Sequence, residues 1–261
     1  MPAVTSRDGT AIAYDKQGSG PALVIVNGAL TTRHAGAELV ELLAPRFTVL
    51  TYDRRGRGDS GDTPPYAVER EIEDVAAVIG QAGGAAALYG HSSGACLALE
   101  AALALGPGQV TSLAMYEAPY DDDPSVSPAW RQYLSDMQTA LDSGRPGDAA
   151  ALFMAFVGTP AEQIEQMRRA PFWAGIEAVA PTLAYDHAGL LADMSIPAER
   201  AAALRVRALV LHGEKGAPFM ARTAATLQRV IPGAELRTLA GQDHSPSAQV
   251  LAPVLADFGA R

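Results

Sequence analysis

"AAALYGHSSGACLALEAALAL", residues 85–105, is the stretch that decides the fold. An apolar run, 85–89, enters Gly90-His91-Ser92-Ser93-Gly94, and a stretch of helical length, 94–105, leaves it. A strand that passes at once into a helix through Gly-x-Ser-x-Gly requires a sharp turn with Ser92 at its apex. The flanking positions must be small, because a side chain there would strike the neighbouring strand or helix. Register selects Ser92 over Ser93, since a shift of one would put His91 where a glycine is needed. The competing reading is a serine that only caps a helix.

Working outward, short aliphatic runs alternate with Ala-rich stretches of helical length. The runs are 22–26, 47–52, 85–89, 110–116, 207–212 and 234–239; the helical stretches are about 35–44, 66–82, 94–105, 219–231 and 246–258. This rhythm belongs to a sheet covered on both faces by crossover helices. Residues 4–6 and 10–15, joined at Asp8-Gly9, read as an antiparallel hairpin at one edge. The expected architecture is α/β, a mostly parallel sheet of about eight strands. The rhythm breaks over 121–197, which has helical patterning and no convincing strand, so the expected organisation is a core of 1–120 and 198–261 with a helical cap, or lid, at 121–197. Both tryptophans, Trp130 and Trp173, lie in that insertion with Met137, Met154, Met167 and Met194. They read either as glue for the cap or as walls of an apolar pocket.

Placement then suggests chemistry. Ser92 Oγ would stand beyond the carboxyl end of the sheet, with the Ser93 amide at the helix N-terminus facing a developing oxyanion. Asn27-Gly28-Ala29 ends another core strand, and the glycine lets the backbone approach, so Gly28 or Ala29 is the candidate second donor. Five histidines are present. His91 and His212 read as packing residues, His187 lies in the cap, and His34 could at most line the pocket. His244 falls on the loop between the last strand and the last helix, from which a general base could reach Ser92.

Taken together, "GHSSG", "YDRRGRGDSG" (52–61), "VNGA", the long insertion and the late "GQDH" resemble the α/β-hydrolase family over essentially the whole chain. The resemblance implies an α/β-hydrolase fold, with Asp53 and Arg54 tying loops together. The chain departs from the family pattern twice: Asn27 stands where a histidine is usual before the oxyanion glycine, and Gly216 where the acid is usual after the penultimate strand. A minority of the family carries the acid one strand earlier, two positions before a proline, and Glu117 in "AMYEAP" (114–119) matches that position. Adjacent parallel strands end only ~4.8 Å apart, so glutamate's extra methylene helps to cover the added reach. Competing acids are Glu214, Asp243 and the run 121–123. The "SSGA" and "EAP" segments are similar to those of zearalenone-type lactonases, which implies a cyclic or bulky ester substrate. The serine at the elbow disfavours dehalogenase and epoxide-hydrolase chemistry, whose family members use an aspartate there.

Composition narrows the partners. With 20 Lys and Arg against 29 Asp and Glu, the net charge is −9. No basic footprint extends beyond Arg54, Arg55 and Arg57, so a nucleic-acid partner is not expected and a small, fairly apolar molecule is. The single cysteine, Cys96, can form neither an internal disulfide nor a thiolate metal cage. No apolar run approaches the ~20 residues of a membrane span, and the start lacks a secretory pattern, so a cytoplasmic location is expected, a homodimer being left open. The expected enzyme is a carboxylesterase- or lactonase-like serine hydrolase with no metal or organic cofactor. Thioester, carbon–carbon or perhydrolase chemistry and a ligand-binding protein with a degenerate triad are the rivals.

Overall fold

The computed structural model describes residues 2–259. Its strands in chain order are β1 (Ala3–Thr5), β2 (Ala11–Gly18), β3 (Ala22–Val26), β4 (Thr48–Tyr52), β5 (Ala86–His91), β6 (Val110–Tyr116), β7 (Arg207–Gly213) and β8 (Glu235–Leu239). They form one sheet in the order β1-β2-β4-β3-β5-β6-β7-β8. The β1–β2 and β2–β4 pairs are antiparallel and the other five are parallel. The hairpin itself pairs only residues 3–5 with 11–13, but β2 runs on past it: Tyr14 to Gly18 pair with Tyr52 to Thr48 of β4, and the polar Asp15, Lys16 and Gln17 left no apolar signal there.

The core helices are α1 (Ala37–Leu43), α2 (Val68–Gln81) and α3 (Ser93–Leu105). The insertion between β6 and β7 supplies α4 (Ser127–Asp142), α5 (Pro146–Phe156), α6 (Ala161–Arg168), α7 (Trp173–Val179), a π-helical turn (Ala184–Leu190) and α8 (Ala198–Ala201). The core resumes with α9 (Pro218–Val230) and α10 (Ala248–Gly259). Strand β3 shows why its run reads as continuously apolar. Leu23 and Ile25 point to the side of Leu39 on α1 and Leu251 on α10, whereas Val24 and Val26 point to the side of Val75 on α2 and Leu97 on α3. Both faces are covered, so the two-residue alternation separates two cores rather than core from water.

The two ends of the helical insertion are stitched to each other. Asp121 N–H donates to the Met194 carbonyl at 2.8 Å, and Ile196 N–H donates to Asp122 Oδ1 at 2.9 Å. A second attachment is ionic and buried. Asp186 on the π-helical turn accepts from Arg54 Nη1 at 2.6 Å and from Arg57 Nη2 at 2.5 Å, while Arg54 also pairs with Glu71 on α2 through two 2.6 Å hydrogen bonds. Burial opposes ionisation of Asp186, but Arg54 and Arg57 outweigh it and hold its carboxyl below the usual carboxylate range. The segment "YDRRGRGDSG" thus acts structurally. Asp53 accepts the Arg33 and Asp59 backbone N–H groups, and Arg54 and Arg57 reach from the loop after β4 to Asp186 in the insertion.

Candidate active site

Ser92 sits between β5 and α3 with φ 56° and ψ −130°, a conformation unfavourable for any residue with a Cβ. The two glycines around it are needed for contact, as a side chain would have nowhere to go. A Cβ at Gly90 would lie 2.5 Å from Ala95 Cα, and one at Gly94 would lie 2.1 Å from the Val26 carbonyl oxygen. Ser92 N–H donates to the Tyr116 carbonyl at 3.0 Å, tying the elbow to the end of β6. Beyond β3, Gly28 comes so close that a Cβ there would be 3.0 Å from Ser92 Cβ and 3.5 Å from its Oγ. Asn27 keeps this loop folded by donating from Nδ2 to the Thr32 carbonyl at 3.1 Å, a structural use of the position where the family usually has histidine.

The Gly28 carbonyl accepts from both Arg57 Nη1 and Thr31 Oγ1 at 2.6 Å. Because the peptide is planar and trans, fixing that carbonyl turns the Ala29 N–H to the opposite side. Ser93, the first residue of α3, offers one of the N–H groups that have no acceptor within their own helix.

Glu117 follows β6 with φ 46° and is fully buried at its side chain. Its Oε1 accepts the Gly213 N–H at 2.9 Å, and its Oε2 lies 2.7 Å from His244 Nδ1. This arrangement explains the glycine at 216. A Cβ there would lie 2.2 Å from Glu117 Oε1, so the carboxylate fills the space that a side chain from the β7 loop would take. The other acids are elsewhere: Glu214 Oε2 accepts from Gly241 N–H and Asp243 Oδ1 from Ser245 N–H. The His244 loop is held from below. Its carbonyl is 2.8 Å from His91 Nε2, and Tyr116 Oη donates to the Asp243 carbonyl. His91 is thus a positioning residue, and His212 is occupied by Gly213 and Thr238.

Ser92, Ser93, Gly28, Ala29, Glu117 and His244 all line one cavity of about 570 Å³. Its other walls are mostly apolar: Trp130, Phe153, Phe156, Leu191 and Met194 from the insertion, and Phe219 and Met220 from the start of α9. Four non-glycine residues among those described have positive φ, namely Leu30, Ser92, Glu117 and Met194. Three of them line this cavity and Leu30 follows the lining residue Ala29, so the backbone strain is gathered at the site.

Two expected contacts require correction. His34 faces a separate shallow cleft with its side chain 66% exposed, because its neighbour Arg33 is the one drawn inward by Asp53. Trp173 is buried within the insertion: its Nε1–H donates to Glu177 Oε1 at 2.9 Å and the Arg168 guanidinium lies 5.6 Å over its ring, away from the cavity. Trp130 lines the cavity and donates to the Ala192 carbonyl at 3.1 Å. The phenylalanines of α5 and His187 line it as well. Residues 149–157 are apolar at every position, so periodicity could not say which side chains face a ligand.

Residues 23–255 match the model of the alpha/beta hydrolase family. The chain belongs to that family. An alpha/beta hydrolase from Sphaerobacter thermophilus is 49% identical, with a TM-score of 0.90 and coverage of 99% of this chain and 100% of that one. An esterase from Thermogutta terrifontis shares 21% identity at TM-score 0.73, covering 99% and 96% of the two chains. The enol-lactonase from Burkholderia xenovorans shares 22% at TM-score 0.75, each chain fully covered. At those lower identities the likeness shows the fold alone. Among the described residues, no helix is long and apolar enough to cross a membrane.

Two of this hydrolase's histidines carry a consequence for stability. Burial pushes His187 down to about 4, and burial together with the neighbouring His244 does the same for His91, against an ordinary value of 6.5. A histidine whose folded pKa is depressed takes up its proton first in the unfolded chain, so stability is lost as pH falls from 6.5 towards 4. For His187 the loss amounts to at most about 1.4 kcal/mol per pH unit. Unfolding followed by circular dichroism across that window is expected to show a shallower pH slope in His187→Phe than in the wild type; equal slopes would remove the assignment.

Proposed function

We propose that the chain is a serine hydrolase that cleaves a carboxylic ester or lactone of a small, fairly apolar molecule through an acyl-enzyme. The observation that supports this most directly is the 2.7 Å contact between Glu117 Oε2 and His244 Nδ1 in a cavity that Ser92 also lines. In this reading Nδ1–H donates to the carboxylate, which leaves Nε2 free to accept the Ser92 proton. Ser92 Oγ attacks the carbonyl carbon and its proton passes to His244 Nε2. The oxyanion of the tetrahedral intermediate is met by the N–H groups of Ser93 and Ala29. Collapse expels the alcohol oxygen, which takes the proton from His244. Water then attacks the acyl carbon, giving up a proton to the same nitrogen, and a second collapse returns it to Ser92 as the acid departs. In a lactone the alcohol remains tethered to the acyl group, so one product carries both ends.

The apolar walls favour acyl or ring-bearing substrates without charge. That the Thermogutta and Burkholderia proteins of the same fold are an esterase and an enol-lactonase is in keeping with an ester-type bond. A fluorophosphonate probe tests the proposal: labelling of the wild type at Ser92 that disappears in Ser92→Ala is the expected result. Absence of labelling from pH 6 to 9 would instead favour a ligand-binding protein. A panel of p-nitrophenyl esters and aliphatic lactones then separates the two bond classes.

A further inference from the structure

His187 has no part in the acyl transfer just described, yet it lines the same cavity. It lies on the π-helical turn Ala184–Leu190, a distortion that often marks a functional position. Its ring is boxed by Trp130 at 5.3 Å, Tyr133 at 5.4 Å and Phe153 at 4.9 Å between centroids. One ring nitrogen is occupied: Nδ1 lies 2.7 Å from Tyr133 Oη, on the side of a residue that does not line the cavity. The opposite nitrogen, Nε2, has no hydrogen-bond partner among the described residues.

The tautomer follows from what Tyr133 can do with its single proton. It can donate to His187 Nδ1 at 2.7 Å or to Met137 Sδ at 3.4 Å. A thioether is a weak acceptor, whereas an imidazole nitrogen at the shorter distance is a good one, so the proton goes to Nδ1. The neutral ring then carries its own hydrogen on Nε2. Burial keeps the ring neutral, pushing its pKa down to about 4. An N–H facing an otherwise apolar wall is left unmatched by a hydrocarbon and matched by an oxygen, and sites of that kind discriminate strongly between the two.

We propose that His187 is a specificity-determining residue whose Nε2–H donates a hydrogen bond to a second, non-scissile oxygen of the substrate. The substrate class is therefore an ester or lactone bearing a ketone, ether or similar acceptor away from the bond that is cut. This inference rests on the hydrolase reading of Ser92.

The test uses three straight-chain p-nitrophenyl keto-esters with the ketone stepped outward one carbon at a time, each paired with the ketone-free ester of equal length. The wild type is expected to favour one keto-ester over its partner by about fivefold to tenfold in kcat/KM, mainly through KM. In His187→Phe that ratio falls to about one, whatever the absolute rates. Tyr133→Phe frees the imidazole tautomer and lowers the ratio while His187 stays in place; it carries the test if the first variant does not fold. A wild-type ratio of one for all three pairs, or a preference that survives in either variant, overturns the role of His187 and leaves the hydrolase intact. If no ester is turned over and Ser92 takes no fluorophosphonate, both readings fall together.

Discussion

Ser92→Ala is expected to lower kcat/KM for any ester substrate by roughly 10⁵-fold to 10⁶-fold, the scale set when a triad loses its nucleophile and keeps only its oxyanion donors. Binding of an unreactive substrate analogue should change little, because the hydroxyl is needed only once attack begins. The backbone supplies a companion result. Ser92 is held at φ 56° and ψ −130°, which a glycine adopts without penalty. Ser92→Gly should therefore be as inactive as Ser92→Ala yet more stable by about 1 kcal/mol, the relieved strain outweighing the extra freedom of the unfolded chain. Chemical denaturation of the three proteins measures this; a less stable glycine variant would mean that the elbow is not strained.

Glu117→Gln is expected to reduce kcat by about 10³-fold to 10⁴-fold with the fold preserved. The reason lies in the Gly213 N–H, which requires an oxygen at Oε1. A glutamine that keeps its oxygen there must turn its NH₂ towards His244 Nδ1. The imidazole then has to accept at Nδ1 and carry its hydrogen on Nε2, the wrong tautomer for a base. Glu214→Gln, whose carboxylate only caps Gly241 N–H, should leave kcat nearly unchanged. The carboxylate of Glu117 and a side chain at 216 compete for one space. Gly216→Asp alone should impair the enzyme, since its Cβ would lie 2.2 Å from Glu117 Oε1. Combined with Glu117→Gly, which tolerates the local φ of 46°, the aspartate enters vacated space and should restore activity to within about 10²-fold of wild type. A double variant no better than Glu117→Gly would mean that the two positions do not serve one site.

The sheet and the elbow are legible in the chain's own letters because each is a local consequence of backbone geometry, whereas Glu117, just after β6, is legible only through its likeness to a minority pattern of the family. Gly90 and Gly94 are where a side chain would collide, and the alternation in β3 sorts two cores. Gly216 is the instructive residue: in sequence it reads as a missing acid, and in space it is the room that Glu117 occupies. What escaped the sequence lies in the insertion. Trp173 and Trp130 look alike in a string of residues, but only one faces the cavity, and that is settled by how short helices pack on each other. His34 does not line the cavity, because the turn that buries Arg33 leaves its neighbour facing outward. His187 gave no signal at all, since its role depends on Tyr133, which sits 54 positions away in the chain.

The carboxylate shared by Arg54 and Arg57 sets what it would cost to lift the insertion off the sheet. Raising the roof as one rigid piece would pull Asp186 out of that clasp and leave ions bare in a greasy seam, at a cost of about 3–5 kcal/mol. Val157, 59% exposed, and Gly158 border the chamber without taking part in that clasp.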